Sequence, residues 1–351
     1  METIATPITI DTALKAFGRH RELHTLADYT GILSMHGLAR LAVSTGEAAH
    51  LEQARAVLMP FVRGGHTFKC NFPNYHVGGN GAALLLWKGH LPEAESACEA
   101  KAEQILRIAD RSPEGILCMP GRNRDLIWID AAFAVTPFLL FTGLALDVKE
   151  YVDDAFHQIH GLYELLLNRD NGLLHQSRGF IGHGKISHDH WSRGNGWGLL
   201  ALAELVAWLP DEHRLSPLAK TMLADLLKAC LKFQDPNGLW HQEITEPETS
   251  YVETSGTGLI LFALGVAIEK GVLPATDLAH FVRGLAGYAG YIAPDGSIFH
   301  TCSGCLSPVD GSIVQYKAVP PVKNDPHAFG PAVLAFGQAF RLGVELPEEL
   351  S

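Results

Sequence analysis

The feature that most restricts the fold of this chain is an alternation between two kinds of predicted helix. One kind is rich in glycine and alanine and apolar nearly all round, as in WGLLALAELVAWL at 197–209, which is typical of a helix surrounded by other helices. The other kind is amphipathic, as in LAKTMLADLLKACLKF, where Leu218 and Met222 share one face and Lys220 lies on the opposite face. Strand patterns are scarce, so the sequence predicts an all-α protein.

The alternation occurs six times along the chain. Apolar helices are predicted to begin near six positions, which are Asp28, Gly79, Leu126, Asn195, Ser255 and Phe329. An amphipathic partner follows each of the first five, and the segment TIDTALKAF near the N-terminus supplies a partner for the sixth. Because the first helix completes the last pair, the hairpins are expected to close into an (α/α)6 barrel, a single domain over residues 1–351. An open helical solenoid is the alternative architecture.

Polar, aromatic and glycine-rich loops stand directly before five of the apolar helices. They are NFPNYHVGGNG, GRNRDLIWID, HDHWSRGNGW, TSYVETSGTG and VKNDPHAFG. Loops that precede inner helices open on the same end of a ring, so we expect them to line one pocket. Capping of helix N-termini is the alternative interpretation, and it accounts for Asp28, for Thr254 or Ser255, and for Asp325.

Capping does not explain why Trp191, Arg193 and Trp197 occur together at the start of one of these helices. The helix dipole disfavours a positive charge at an N-terminus. Arg193 is therefore expected to have an anionic partner.

Composition and charge argue against several kinds of partner. The net charge of −11 argues against nucleic acid, and the combination of 47% hydrophobic with 19% charged residues is typical of a folded protein. No apolar stretch reaches the roughly 18 residues that a membrane helix requires, and the N-terminal segment lacks the pattern of a secretory signal. Six scattered cysteines favour a reduced compartment. A cytoplasmic location without a membrane partner is expected.

No metal or cofactor is expected. Cys302 and Cys305 form a C-x-x-C pair, but a lone pair without a second set of ligands is weak evidence for zinc or redox chemistry. His183, His188 and His190 suggest a metal interpretation, yet a His-x-His sequence alone is a poor ligand set.

Four motifs carry a resemblance to a known family. WSRGNGW, GLWHQ, YVETSGTG and NDPHAFGPAVLAFGQAF together resemble the unsaturated rhamnogalacturonyl hydrolases of glycoside hydrolase family 105. These enzymes are relatives of the unsaturated glucuronyl hydrolases and share the (α/α)6 barrel. The matches extend from about Trp128 to Leu342. The resemblance implies an enzyme that takes unsaturated uronyl oligosaccharides made by polysaccharide lyases and hydrates the C4=C5 bond of the terminal uronic acid.

The resemblance also implies roles for five residues. It points to Asp130, in LIWIDAAF, as the general acid/base, and it places His175, Trp191, Arg193 and Trp197 in the substrate pocket. A carboxylic acid over C4 delivers a proton, and the resulting carboxylate takes a proton from the water that adds at C5. One carboxyl group then performs both steps, unlike the two carboxylates of ordinary glycosidases. The apolar neighbours of Asp130 favour its protonated form.

Each assignment has a structural alternative. Asp130 would otherwise satisfy backbone groups at a helix N-terminus. Arg193 would pair with a loop carboxylate such as Asp189 instead of a uronate carboxylate. Either Trp191 or Trp197 would belong to the core instead of stacking on a sugar.

One departure from the family lies in the first third of the chain. Many relatives carry a second pocket aspartate there, but CNFPNYHVGGNGAALLLWKGH contains none. Asn74 or His76 is expected to occupy its place as a substrate-binding residue, and neither supplies the same negative charge. Gly78 and Gly79 either let the backbone approach a ligand closely or form a turn into the next helix.

Two further function classes are open from the sequence. A different carbohydrate enzyme on the same barrel is one, such as an epimerase, a lyase or an inverting glycosidase; the last needs a second carboxylate, for which Glu253 and Asp325 are the loop candidates. A non-enzymatic helical scaffold is the other, but it would expose binding residues on a concave helix face instead of in loops. Neither the sugar that follows the uronate nor the oligomeric state follows from the sequence.

Overall fold

The computed structural model describes residues 8–66, 74–121, 123–304 and 312–346, which form thirteen α-helices and four two-residue strands. In chain order the helices are α1 (Ile8–Leu23), α2 (Tyr29–Thr45), α3 (Ala48–Val62), α4 (Gly79–Trp87), α5 (Glu95–Arg107), α6 (Ala131–Leu146), α7 (Lys149–Leu166), α8 (Ser192–Trp208), α9 (Ser216–Leu231), α10 (Thr254–Glu269), α11 (Leu278–Ala289), α12 (Ile313–Lys317) and α13 (Phe329–Arg341). The strands are β1 (Ile127–Trp128), β2 (Ser177–Arg178), β3 (Thr301–Cys302) and β4 (Pro321–Val322). They form two antiparallel pairs, β1 with β2 and β3 with β4.

Six helices form a closed inner ring. Helix α2 packs on α4, α4 on α6, α6 on α8, α8 on α10, α10 on α13, and α13 returns to α2. The remaining long helices form an outer layer, in which α1 packs on α13 and so completes the last hairpin. The predicted (α/α)6 barrel is confirmed, and the open solenoid is excluded.

Glycines let neighbouring inner helices approach one another closely. A Cβ atom on Gly256 of α10 would lie 2.6 Å from the backbone carbonyl carbon of Ser192 in α8. One on Gly330 of α13 would lie 2.5 Å from the side chain of Leu33 in α2. A side chain at either position would force the helices apart, which explains why the inner helices are rich in glycine.

Three local predictions were wrong. Helix α6 begins at Ala131 and not near Leu126, because Ile127–Trp128 pairs with β2 before the helix starts. Helix α8 begins at Ser192, three residues before the predicted Asn195. Leu218 is 44% exposed, because α9 is buried along the stripe that includes Ala219, Met222 and Leu226, and Leu218 lies outside this stripe.

No helix among the described residues has both the length and the apolar character that a membrane crossing requires.

Candidate active site

The polar loops meet at the end of the barrel where the inner helices begin. Arg193 at the start of α8 donates to Ser255 at the start of α10, and Tyr29 at the start of α2 contacts His327 just before α13. The rings of Tyr29 and Phe133 lie 6.4 Å apart although α2 and α6 are not neighbours in the ring. Both rings must therefore project toward the centre of this opening, which we call the mouth of the barrel.

Asp130 is positioned by the strand pair that precedes α6. Strand β1 pairs with β2, and the backbone N–H of Ile129 donates to the carbonyl oxygen of Gln176 at 3.0 Å. Asp130 follows directly at the N-terminal boundary of α6, and only 5% of it is exposed. Its side chain makes no capping hydrogen bond to the helix. The interpretation of Asp130 as an N-terminal cap is therefore wrong.

The residues on both sides of Asp130 contact the tryptophan and arginine segment of α8. A Cβ atom placed on Gly194 would lie 3.4 Å from Cγ2 of Ile129. The ring of Phe133, one turn after Asp130, stacks on Trp197 with a centroid distance of 4.5 Å. The start of α6 and the start of α8 are therefore packed side by side at the mouth.

Two buried asparagines of the preceding loop and helix hold the first turn of α6. Pro137 lies inside α6 and has no N–H group, so the carbonyl of Phe133 lacks its helical donor. Asn80 Nδ2 donates to that carbonyl at 2.9 Å, and Asn74 Nδ2 donates to the next carbonyl, that of Ala134. Asn74 Nδ2 also reaches Asn80 Oδ1 at 2.9 Å. An aspartate at position 74 could not donate these bonds, so the amide at this position has a structural role in the chain.

Arg193 carries a buried guanidinium that contacts the start of α10, strand β3 and the ring of Trp191. Its Nη1 donates to Ser255 Oγ at 2.9 Å and to the carbonyl oxygen of Cys302 at 2.6 Å. The guanidinium lies over the ring of Trp191, with its central carbon 4.4 Å from the ring centroid. Its carboxylate neighbour is Glu253, at 3.9 Å. The alternative of a loop carboxylate beside Arg193 is therefore met by Glu253, and Asp189, which was the named example, is not that residue.

Glu253 is entirely buried, and its carboxylate holds the start of α10. One oxygen accepts from the backbone N–H of Ser255 at 3.0 Å and of Cys302 at 3.0 Å, and the other accepts from the N–H of Gly256 at 2.6 Å. The hydroxyls of Ser255 and Ser192 also donate to it, at 2.6 and 3.2 Å. Glu253 therefore caps α10 and ties the surroundings of Arg193 together.

Both tryptophans of the WSRGNGW motif are buried. Trp191 is 1% exposed and supports Arg193, while Trp197 is 0% exposed and supports Phe133. Their contacts in the structure are thus packing contacts that hold a cation and an aromatic ring in place.

His175 is a neutral imidazole with a defined tautomer. Its Nδ1 lies 2.9 Å from the carbonyl oxygen of Asp189, and since a carbonyl only accepts, Nδ1 carries the proton. Burial and the neighbouring His190 lower the pKa of His175 to about 4. Its Nε2 is therefore a hydrogen-bond acceptor at neutral pH. Burial and the nearby Glu243 raise the pKa of Asp189 to about 6, so this carboxyl is less acidic than an exposed one.

Three residues form a contact chain that the sequence did not assign to the site. Asp325 Oδ1 lies 2.5 Å from His327 Nδ1, and His327 Nε2 contacts the hydroxyl of Tyr29. His327 and Asp325 are buried, and both carry less than a tenth of their possible exposure. Tyr29 lies 298 positions from His327 in the chain. The motif NDPHAFG contains Asp325 and His327, but no local pattern in the sequence points to Tyr29 as their partner.

His76 differs from the other predicted site residues in its exposure. Its side chain is exposed, and the positive charge that acts on it comes from Lys101 in the outer helix α5. Of the two residues expected to replace the second aspartate, Asn74 is the buried one. Gly78 and Gly79 both have positive φ angles, of 85° and 60°, and they form the turn into α4.

The expected caps were partly wrong. Asp28 precedes α2 but makes no capping hydrogen bond, and Glu253 caps α10 in place of Thr254 or Ser255. Asp325 accepts from the N–H of His327 at 3.0 Å, inside the turn that leads to α13.

Within residues 8–66, 74–121, 123–304 and 312–346, no three His, Cys, Asp or Glu side chains converge in a way that would hold a metal ion. Cys305 of the C-x-x-C pair lies outside the described residues. Cys302 is buried beside Gln242.

Comparisons with known proteins agree with this architecture. The chain matches the model of the family described as Glycosyl Hydrolase Family 88 over residues 10–342. A solved structure of a family 105 glycoside hydrolase from C. acetobutylicum has a TM-score of 0.80 at 22% sequence identity, covering 95% of this chain and 99% of that one. At this identity the likeness concerns the fold alone.

Two curated relatives extend the comparison. The unsaturated rhamnogalacturonyl hydrolase YesR of Bacillus subtilis is 27% identical over 231 residues, which are 64% of each chain. The unsaturated 3S-rhamnoglycuronyl hydrolase of Formosa agariphila is 29% identical over 155 residues, 42% of this chain and 41% of that one. The chain thus spans less than two thirds of the length of each. The resemblance predicted from the motifs is confirmed, and the chain belongs to Glycosyl Hydrolase Family 88.

Proposed function

We propose that this chain is a glycoside hydrolase, acting as a single barrel domain, that removes the non-reducing terminal 4,5-unsaturated uronic acid from lyase-generated oligosaccharides. The observation that carries the proposal is the packing of the Asp130 segment against the Arg193 segment at the mouth of the barrel. The segment that carries the proposed proton donor then lies directly beside the segment that carries the proposed anion-binding group. The relatives YesR and the Formosa enzyme carry names that refer to unsaturated uronyl substrates.

Asp130 supplies the proton. Its carboxyl group protonates C4 of the enol ether, which leaves a positive charge shared by C5 and the ring oxygen, and the carboxylate so formed stabilises that charge. Water then adds at C5 and gives its proton to the same carboxylate. The resulting hemiketal opens to a ketone at C5, and the hemiacetal left at C1 releases the neighbouring sugar as an alcohol. Atoms and protons balance with one carboxyl group.

Arg193 supplies the positive charge for the uronate carboxylate. Its position over Trp191 and its bonds to Ser255 and Cys302 hold the guanidinium rigidly, so little side-chain entropy is lost when an anion binds. His175 adds a neutral acceptor, because its proton is held on Nδ1 by the Asp189 carbonyl. The arrangement is suited to a sugar acid that presents both a carboxylate and hydroxyl groups.

The inverting-glycosidase alternative lacks support from its two loop candidates. Glu253 uses both carboxylate oxygens to hold backbone N–H groups, and Asp325 is bonded to His327. A general base must be able to accept a proton from a mobile water, whereas these two carboxylates already accept hydrogen bonds from groups of the protein.

Ultraviolet absorbance of the conjugated C4=C5 bond tests the proposal. We expect the protein to abolish this absorbance in lyase-generated oligosaccharides, because hydration destroys the double bond. A panel of such oligosaccharides with different second sugars identifies the preferred one. Saturated oligosaccharides of the same sugar composition are the control and should remain intact. Cleavage of the saturated set with no absorbance loss in the unsaturated set would contradict the proposal and favour an ordinary glycosidase.

A further inference from the structure

The Asp325–His327–Tyr29 chain at the mouth has no role in the steps described above. We propose that Asp325 and His327 are positioning residues that hold the Tyr29 hydroxyl as a hydrogen-bond acceptor for a hydroxyl group of the substrate. This inference rests on the proposed function, since it concerns the same substrate in the same opening. It adds the contact that orients the sugar ring relative to Arg193.

The first step concerns the proton on His327 Nδ1. Asp325 Oδ1 lies 2.5 Å from Nδ1 and 3.0 Å from the backbone nitrogen of His327. An ionised carboxylate accepts hydrogen bonds and cannot donate them. Burial alone would raise the pKa of Asp325, but the hydrogen bonds from the ring and the backbone N–H of His327, together with the positive charge of Arg193, hold this pKa below its usual range. Nδ1 of His327 therefore carries a hydrogen.

The second step concerns Nε2 of the same ring. Burial and the positive charge of Arg193 lower the pKa of His327, although Asp325 acts in the opposite direction. The ring is thus neutral at physiological pH and has a single N–H, which is already bonded to Asp325. Nε2 has a lone pair and accepts, so the Tyr29 hydroxyl must donate its proton to it.

The third step concerns the location of the Tyr29 oxygen. The tyrosine ring reaches across the mouth to Phe133, one turn beyond Asp130, and Phe133 stacks on Trp197. With its proton directed to His327, the oxygen offers lone pairs and no donor to a ligand. It will attract a sugar hydroxyl and repel a carboxylate. Arg193 has only donors, so the two groups together select one orientation of a hydroxylated sugar acid.

Removing the tyrosine hydroxyl tests the contact. Tyr29→Phe is expected to lower kcat/KM for the unsaturated oligosaccharide by roughly tenfold, the usual effect of one hydrogen bond, mainly through KM because the contact exists before the reaction starts. His327→Asn should have a similar effect, since the shorter amide reaches Asp325 but not Tyr29. His327→Gln, whose longer side chain can offer an oxygen to Tyr29, should retain most of the activity.

A double-mutant cycle separates positioning from general damage. If His327 acts through Tyr29, the Tyr29→Phe, His327→Asn double variant should be no worse than either single variant. If the double variant instead lost kcat/KM by a factor near the product of the two single losses, the two residues would act independently and the inference would be overturned. His50→Asn is the matched control, because His50 is a buried histidine bonded to Thr45 Oγ1 at 2.9 Å, at the end of α2 opposite to Tyr29, and should leave KM unchanged.

Nitrogen NMR of the unchanged protein, with labelled histidines, provides a test that does not depend on activity or on the folding of a variant. The His327 resonances, identified by their absence in His327→Gln, should report a proton on Nδ1 and none on Nε2. A proton on Nε2 would overturn the inference even in an active enzyme. Complete inactivity of the unchanged protein on every unsaturated oligosaccharide would instead overturn the proposed function, and with it the substrate role of Tyr29, whatever the tautomer.

Discussion

Replacing Asp130 by asparagine is expected to reduce kcat on unsaturated oligosaccharides by about 10²–10⁴-fold, the usual cost of losing a general acid/base. The amide occupies nearly the same volume but can neither protonate C4 nor accept the proton of the attacking water. Because the Asp130 side chain makes no capping bond to α6, the substitution should leave the fold intact. Initial rates of absorbance loss measure the effect, and circular dichroism measures the fold.

The control for this experiment is Asp170→Asn, which changes an exposed aspartate in the same way and should leave the rate unaltered. If the Asp130 variant kept more than a tenth of the wild-type rate, the assignment of the acid would be wrong. A loss of helical signal in that variant would mean that Asp130 has a structural role as well.

Replacing Glu253 by alanine is expected to lower the free energy of unfolding by about 3–5 kcal/mol, the typical effect of removing one member of a buried charged network. The substitution strands three backbone N–H groups, those of Ser255, Gly256 and Cys302, without an acceptor. It also removes the negative charge beside Arg193. Chemical denaturation followed by tryptophan fluorescence provides the measurement.

Glu248→Ala is the matched control for Glu253, since Glu248 is an exposed glutamate in the loop just before it. Its effect should stay within about 0.5 kcal/mol. A Glu253 variant as stable as this control would show that other groups or water replace the carboxylate, and that α10 does not depend on this cap.

The ring of helices could be predicted because the residue pattern of an enclosed helix is repeated along the chain. Helices that are enclosed on all sides need apolar residues all round and glycines where backbones meet, and both patterns are local. The start of α6 could not be predicted, because a strand of two residues such as β1 leaves no periodicity to detect. Leu218 shows that an apolar stripe in the sequence does not define the edges of the buried face, because these edges depend on where the neighbouring helices end.

The candidate site was predicted in part. Arg193 stood out because an arginine is unfavourable at a helix N-terminus, but its partners Ser255 and Cys302 lie 62 and 109 positions away, beyond the reach of any local pattern. Glu253 was not recognised as a cap, because glutamate is not among the residues usually found at that position. The role of Asn80 had a signal elsewhere in the sequence. Pro137 lies inside a buried helix and has no N–H, so the carbonyl of Phe133 requires another donor, which Asn80 provides.

Deuterium incorporation tests the central claim most directly. When the enzyme acts in D2O, proton delivery to the alkene should place one deuterium at C4 of the first-formed keto product, in a single stereochemical configuration set by the face on which Asp130 lies. NMR of the product at early times detects it, before solvent exchange at C4 proceeds. The product formed by the wild-type protein should carry this label. The Asp130→Asn variant should form labelled product much more slowly. A first-formed product without deuterium at C4, or with both configurations equally labelled, would contradict protonation of the double bond by the enzyme.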